Sequence, residues 1–564
     1  MLANIHKLLQ RHPLRVIIIL CVAIILFNIT PGKIIFGLDN TSPYFGWNLL
    51  ISRVQNDNNF FVNGPLLFSP TIILGNFLNL PAWIIAHLHI WLSFLIGIVG
   101  QVFLLDFFLK KTKTRVSPEL LLIFVFLILG HLSTIWIFSQ IVFSYVNAFA
   151  SIPWIILLLT DGFPKEKKVL SYLFIFISVL LFFSISSNIV AFTLYFGAVV
   201  LLSLALTQKE EWKKIMVSAV VLGLTYLSTS QALMILTNHP RFVISEAINH
   251  LNAITNHPYT AVITADLAKA EGLTGNFLNI ARFATGWLLL NSAEGKVTPF
   301  SDAFLSNPIM IIIQIIPLVF IPLAASRAKK LPKEVMALAA IWIVTILLSS
   351  NFFRGLLVHI PVMGSSLRFL SSKVYPLLSI PFFFLFTYFL NEWKESSTNE
   401  HRFPFIKKVF YFIIVLSVAI PAVFLWSTHN VVSKYAANAL PSEYLQFDKS
   451  IIKKKIIYFP QPTRLYFRSY HWGYYGSDFI SYLSTNEIID GGSLSQRSIE
   501  YSRIAELLKN CTLSDFDFSN TVIVFDQSAT NQESDLEILK CLESEEFTQT
   551  TNGRLLYFTK TTSR

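Results

Sequence analysis

The chain is poor in charge. Of its 564 residues only 14% are Asp, Glu, Lys or Arg, where a soluble globular domain carries ~25%. It has three cysteines, which excludes a cysteine-rich scaffold and leaves no Cys spacing for zinc. No low-complexity linker interrupts it and no internal repeat is visible. Charge is almost absent inside its apolar runs. Coupled transporters place buried acids or broken Gly/Pro helices at mid-membrane, so transport is the second reading here. No Asp-x-Asp stands in the loops between apolar runs. The one such motif, Asp515-Phe516-Asp517, precedes a strand-like run near the C-terminus and reads as solvated surface, so a metal-dependent donor site is unsupported. No Ser marks a tight strand–helix turn, and a Ser/His/Asp triad cannot be argued.

What is present is apolar: 54% hydrophobic residues and a mean hydropathy of +0.58. Repeated runs are long enough to span a bilayer, which defines a polytopic α-helical membrane protein. Eleven spans are predicted, near residues 14–30, 82–108, 118–138, 147–160, 168–185, 189–207, 214–236, 307–325, 334–350, 372–390 and 409–427. The first follows Lys7, Arg11 and Arg15 like a signal peptide. It lacks a small-x-small cleavage site and predicts an uncleaved helix.

The net charge of +11 is not clustered as nucleic-acid binding requires. It sits in alternate short loops: Lys110, Lys111, Lys113 and Arg115; Lys165, Lys167 and Lys168; Lys209, Lys213 and Lys214; Arg327, Lys329, Lys330 and Lys333; Lys394, Arg402, Lys407 and Lys408. This positive-inside pattern predicts a multi-pass plasma (inner) membrane protein with a cytoplasmic N-terminus. An odd span count puts the C-terminus outside. Four stretches then face out: 31–81, 237–306, 351–371 and everything after about residue 427. Tyr44 to Val54 reads as an interfacial helix. The predicted fold is an all-α membrane bundle, residues 1–427, followed by a small extracytoplasmic α/β domain, residues 428–564. Strand-like runs there are Lys455 to Phe459, Thr521 to Asp526 and Arg554 to Thr559. Helix-like runs are Gln496 to Lys509 and Asp535 to Glu543.

The stretch that organises the chain is GLDNTSPYFGW, Gly37 to Trp47. Asp39 at its centre is a carboxylate one step outside the membrane, hydrated unless the fold holds it in a cleft. Its sharp reading is a general base; its ordinary one is a turn residue. Candidates to line a substrate cavity are Asn40, Trp47, Arg53, His87, His239, Arg241 and Glu246. Arg282, Arg368 and Lys373 are outer-face cations suited to clamp a phosphate leaving group, although pairing with lipid phosphate is the ordinary role of such residues. His87, His89 and His131 lie within spans, where interhelical hydrogen bonding is the commoner use. Trp472 and Tyr475, in SYHWGYYGSDF, are candidates to stack on a sugar, against a competing place in core or interface. Cys511 and Cys541 fall in the outer tail, where disulfides persist. Cys511 precedes a strand and Cys541 lies on the helix after it, which predicts a bridge between them, with Cys21 a free thiol inside the first span.

The order of features is familiar. An acid follows the first span, then Gly64-Pro65, then Leu80-Pro81-Ala82-Trp83 at the entry to the second. Asn147 to Trp154, Phe277 to Trp287 and Leu367 to Lys373 fit the same pattern. The chain resembles the GT-C glycosyltransferase superfamily, and its region from Gly37 to Gly100 resembles YfhO-like membrane proteins and the GT-C arabinofuranosyltransferases. The resemblance covers most of the membrane part and, more loosely, the tail. It implies transfer of a sugar from a polyprenyl-phosphate-linked donor to a glycan, lipid or protein acceptor on the outer face, with Asp39 as base. Many members carry two adjacent acids; here Asn40 follows Asp39. No cofactor is required by such chemistry, and a divalent metal is optional to it. The partners implied are the bilayer, the lipid-linked donor and the acceptor, with no nucleic acid. The alternatives are a lipid or glycan flippase or transporter, or a non-catalytic membrane protein of cell-envelope assembly.

Overall fold

The computed structural model describes residues 10–35, 47–56, 64–114, 117–140, 142–162, 168–187, 189–239, 242–256, 274–285, 291–292, 295–296, 300–328, 330–353, 374–399, 404–427, 431, 437–447, 451, 455–460, 467–477, 479–480, 483–484, 486–489, 497–512, 516–529, 533–544 and 547–560. Helix α1 is Pro13–Asn28, followed by a short strand β1, Ile34–Ile35, and by α2, Trp47–Asn56. A 3-10 turn, Gly64–Phe68, leads into α3, Pro70–Phe77, and α4, Ala82–Lys111. Next come α5, Pro118–Gly130; α6, Leu132–Gln140; α7, Phe143–Leu159; α8, Lys168–Phe183; α9, Ile189–Ala205; and α10, Lys209–Leu236. Then follow α11, Val243–Asn256; the short α12, Phe277–Ala281; a hairpin of β2, Asn291–Ser292, and β3, Gly295–Lys296; and α13, Ser301–Leu305. The last apolar helices are α14, Pro308–Ala325; α15, Lys333–Ser349; α16, Tyr375–Asn399; and α17, Pro404–Ser427.

Local sequence starts several of these helices. Ser117 caps α5 by accepting the Leu120 N–H (3.2 Å), with Pro118 in the first turn. Asn307 caps α14 by accepting from Ile309 and Met310, again with a proline following. Both supply an oxygen to orphan donors and a φ already suited to the helix. Helix occupies each of the eleven predicted apolar segments. Among the described residues four helices (α4, α10, α14 and the Lys408–Ser427 part of α17) are long and apolar enough to cross a membrane unaided. The pair α5 and α6 makes a fifth if taken as one bent span.

Helix α4 is the axis of the bundle. Its crossing stretch is 72% buried in the protein, against 28% for α10, which lies at the rim. Gly97 and Gly100 of α4 let α7 approach closely, because a Cβ at either would meet Phe149 or the Trp154 indole. The Trp154 Nε1–H is satisfied by the Ile96 carbonyl at 2.9 Å. Among the described residues four ion pairs gather at one end of the bundle: Lys110–Asp106, Lys111–Glu211, Lys214–Asp161 and Lys394–Glu119. Each is partly exposed and adds little stability, but together they mark the end rich in Lys.

Two expectations are corrected. The third segment is not one straight helix: it bends by 53° between α5 and α6. The break is built by Gly130, packed against α17 backbone at Val418 and Ala422, and by His131, whose Nδ1 accepts the Ser133 N–H (3.2 Å) and so caps α6. The predicted interfacial helix is α2, but its apolar Leu50 and Val54 are buried inside the protein.

Beyond α17 the chain changes character. Strand β4, Ala437–Asn438, pairs antiparallel with β1, Ile34 opposite Asn438 and Ile35 opposite Ala437. After α18, Ser442–Leu445, come β5, Lys455–Phe459; the hairpin of β6, Phe467–Ser469, and β7, Tyr475–Ser477; and β8, Ile488–Ile489. Then follow α19, Arg497–Lys509; β9, Thr521–Asp526; α20, Glu533–Leu542; β10, Phe547–Asn552; and β11, Leu555–Lys560. The five-stranded sheet runs β10-β11-β9-β5-β8. β5 is parallel to β8 and β9, and β11 is antiparallel to both its neighbours. One face (Ile457, Ile523, Phe525, Phe558) packs on α19 and α20. The other (Ile456, Tyr458, Val524, Tyr557) belongs to one apolar cluster that continues into the helical bundle. Cys511, just past α19, is bonded to Cys541 of α20 with Cα atoms 5.5 Å apart, and Cys21 is a buried free thiol.

Candidate functional site

The segment from α1 to α2 carries Asp39, and its entry is built from both ends of the chain. Helix α1 stops at Asn28, whose amide turns back to the Ile24 carbonyl (2.8 Å). The chain turns through Pro31 and Gly32, the glycine at φ +75, where a side chain would be strained. His87, one and a half turns into α4, meets this turn. The Trp91 Nε1–H donates to His87 Nδ1 (3.2 Å). With Nδ1 accepting, the ring proton sits on Nε2, which lies 3.2 Å from the carbonyls of Thr30 and Lys33 and 3.4 Å from the Thr30 hydroxyl. Immediately after, β1 is held by β4. Two independent devices therefore fix the chain up to Ile35.

Two residues on, α4 turns a second histidine toward a different neighbour. His89 is bonded through Nδ1 to Thr71 (2.7 Å), lies 3.4 Å from Ser69, and stacks on Phe143. Asn147 of α7 lies on its other side and donates to Ser184 (2.6 Å). Both histidines are buried and joined to other elements of the fold. His87 is an anchor of the first turn, with both ring nitrogens engaged, and not an open cavity-mouth group.

Asp39, Asn40, Arg241, Arg368 and Lys373 lie outside the described residues. Trp47 and Arg53 are on α2, and Tyr475 on β7, but their side chains lie outside the described residues as well. His239 and Glu246 are both buried, Glu246 completely, on the inner side of the turn from α10 into α11. Arg282 is the one member of the proposed cation clamp that is described, and it is only 5% exposed. Its Nε and Nη2 donate to Asn279 Oδ1 (3.1 and 2.8 Å), and its Nη1 to the Phe304 carbonyl (2.6 Å) and Gln314 Oε1 (3.0 Å). Burial holds its pKa below the ordinary arginine value. Four of five N–H directions are thus used within the fold, tying α12 to α13 and α14. The guanidinium borders a cleft of about 30 Å³ lined also by His131, Gln314, Ser417, Leu127 and Phe382. That is room for about two water molecules and not for a sugar.

In the tail, Tyr470, Tyr474, Phe479 and Tyr444 are buried in one aromatic cluster. Trp472 is half-buried at its rim and donates its Nε1–H to the Tyr444 oxygen (3.3 Å). Of the aromatic residues singled out from the sequence for stacking, only Trp472 is both described and partly open. Sequence reasoning missed what lies beneath it. Asp526, the last residue of β9, is fully buried. Its Oδ2 accepts from the phenols of Tyr444 and Tyr458, both at 2.5 Å, and its Oδ1 from the Ser528 N–H (2.8 Å) and hydroxyl (2.6 Å). Burial and the Asp526 charge push both phenol pKa values up. Arg468, also buried, lies over the Tyr458 ring and donates to the Pro460 carbonyl. The only sequence signal for this hub was an acid closing a strand of β-branched and aromatic residues.

No family profile matches the sequence, and no curated protein sequence matches it. Solved structures do. The cryo-EM structure of the arabinofuranosyltransferase AftD from Mycobacteria matches 97% of this chain at 13% identity with a TM-score of 0.53. Two classes of a point mutant of the same protein match equally broadly, with TM-scores of 0.57 and 0.54. The chain spans about 40% of the length of these structures. The likeness does not bear on the YfhO-like part of the resemblance. At this identity what is shared is the fold: a mostly helical membrane bundle with a small C-terminal sheet.

Proposed function

We propose that this chain is a membrane glycosyltransferase that moves a sugar from a polyprenyl-phosphate-linked donor to an acceptor hydroxyl on the outer face of the membrane, with Asp39 as general base. The observation that carries the reading is the double anchoring of the chain entering the Asp39 segment, by His87 and by the β1–β4 pairing, in a bundle similar to a known glycosyltransferase. A general base works only when held within reach of its proton, and that demands a fixed approach. Eleven spans, a cytoplasmic N-terminus, a bundle over residues 1–427 and an outer domain over 428–564 complete the reading. The four ion pairs at the Lys-rich end support that orientation.

Asp39 takes the acceptor proton as the oxygen attacks the anomeric carbon. The bond from that carbon to the phosphate oxygen breaks, and polyprenyl phosphate leaves with the electron pair. Arg368 and Lys373 meet its charge directly. Arg282, mostly spent on its neighbours, adds field more than contact. No cofactor takes part. Trp472 offers one aromatic face to the acceptor. Asp39→Asn keeps shape and removes the proton acceptor. In proteoliposomes given a panel of polyprenyl-phosphate pentoses and hexoses, it is expected to lose about 10²–10⁴-fold in transfer rate while still binding donor. An undiminished rate reduces Asp39 to a turn residue and ends the proposal.

One observation favours a second reading, a lipid or glycan flippase. The α5–α6 break at Gly130–His131 is the kind of interrupted helix that transporters use. Asp39→Asn separates the two, because flipping survives loss of a base and transfer does not.

A further inference from the structure

Helix α11 has three sides where most helices have two. Val243 and Glu246 are buried and Ala247 is partly so, all facing the protein. Ile244 and Ile248, one turn apart, are exposed at 63% and 53%, and Phe242 just before the helix at 76%. Ser245, Asn249 and Asn252 are also exposed, and at 100° per residue they fall on a third side. A helix on a soluble surface needs a buried and a polar side only. A helix within the bilayer has no use for a polar stripe.

The position agrees with the pattern. Helix α10 begins at the end of the bundle that holds the ion pairs and finishes at the opposite end. There Ile235 and Leu236 are exposed at 66% and 77%, continuous with the rim face that α10 presents along its length. Asn238, at φ +53, and the His239 N–H, bonded back to the Met234 carbonyl, stop α10 sharply. Gln231 of α10 then accepts the Val243 N–H (2.9 Å). The cap fixes α11 to α10 at the level where α10's apolar surface ends.

We propose that α11 is an interfacial helix. It lies along the membrane boundary with Phe242, Ile244 and Ile248 in the acyl region, Ser245, Asn249 and Asn252 in water, and Glu246 turned into the protein. Its partner is the lipid surface. The proposal does not rest on sugar transfer and stands or falls apart from Asp39.

Single cysteines at 244, 245, 248, 249 and 252 test it. Cys21 is buried and Cys511 is bonded to Cys541, so the unsubstituted chain supplies a low labelling background. Each variant is nitroxide-labelled in phosphatidylethanolamine–phosphatidylglycerol vesicles, and its collision rates with oxygen and with a water-soluble nickel chelate are read by EPR. The expected result is an oxygen-to-nickel ratio several-fold higher at Ile244→Cys and Ile248→Cys than at Ser245→Cys, Asn249→Cys and Asn252→Cys. Equal, water-like access at all five overturns the proposal, because the helix then stands in solvent. Shielding of 244 and 248 from both reagents overturns it too, because a protein then covers that face.

Discussion

The bundle and the tail both bury polar groups, and they do so differently. In the bundle, polar side chains work in short local links. Ser151, Thr160, Ser203, Thr207, Ser379 and Thr387 each donate to a carbonyl one turn back. Longer links, among them those of His87, His89, Trp154 and Arg282, join two or three elements. In the tail, one carboxylate gathers Tyr444 and Tyr458, 82 and 68 residues away in sequence, and Ser528, two residues on. The difference follows from the reference state. A polar group that leaves its partner inside a membrane finds another on its own helix, so such bonds are worth only ~0.6 kcal/mol on average. The unfolded tail is hydrated, and a buried carboxylate must recover its lost hydration from fixed donors. Local links therefore suffice in the bundle, while the tail needs a complete hub.

Breaking the hub is expected to have the largest effect. Asp526→Ala takes away the acceptor shared by two phenols and the Ser528 donors, a loss of about 1–3 kcal/mol for each donor left unsatisfied. Hydrogen exchange should quicken across residues 437–560 and hold steady in α4 and α7. The disulfide comes next. Its cysteines are 30 residues apart, for which loop closure predicts about 2–4 kcal/mol. Cys511→Ser should lower the denaturant midpoint of the tail by a matching amount and leave the helical signal of the bundle intact.

Alkaline pH sharpens the same contrast. Tyr444 and Tyr458 have folded pKa values raised above the unfolded value, so the native tail holds protons that the unfolded chain releases above pH ~10. Their contribution is complete below that pH and falls as pH rises past it, by roughly 1 kcal/mol per phenol near pH 10.5. Tyr444→Phe/Tyr458→Phe should flatten this fall in melting temperature. Least costly is His87→Phe in the bundle, at about 0.6 kcal/mol. Its signature is local: faster exchange at residues 30–35 with an unchanged global melting point. A global loss there as large as that of Asp526→Ala would erase the distinction between the two regions.

Much of the helical part was legible in the sequence, because an uninterrupted apolar run has few alternatives in a membrane protein. Helix ends were less so. α10 starts at Lys209, through charged residues that read as loop, and α16 runs past Leu390 to Asn399, carrying the Lys394 that pairs with Glu119. The break at His131 was hidden because a lone Gly is frequent in membrane helices, and only folding shows that the His131 ring caps the next turn. β8 and β10 escaped notice, the first two residues long and the second with four exposed positions among its six. The Asp526 hub could not be read, because nothing local links Tyr444, Tyr458 and Ser528 to that acid. The lipid-facing role of an outer helix could not be read either: Tyr44 to Val54 was expected at the interface, and α11 was read only as part of the outer stretch 237–306. Both are amphipathic, and whether an apolar stripe meets protein or lipid depends on what packs beside it.

The pairing of Ile34–Ile35 with Ala437–Asn438 also sets a schedule. The first strand emerges from the ribosome about 400 residues before its partner, and at ~5–20 residues per second that wait lasts roughly 20–80 s. Throughout it the segment that carries Asp39 has His87 to hold its entry and no strand beside it. The approach to that segment is completed only once the last apolar helix and the chain beyond it have been made, so a nascent chain stalled short of Ala437 would carry every apolar helix and still have this edge open.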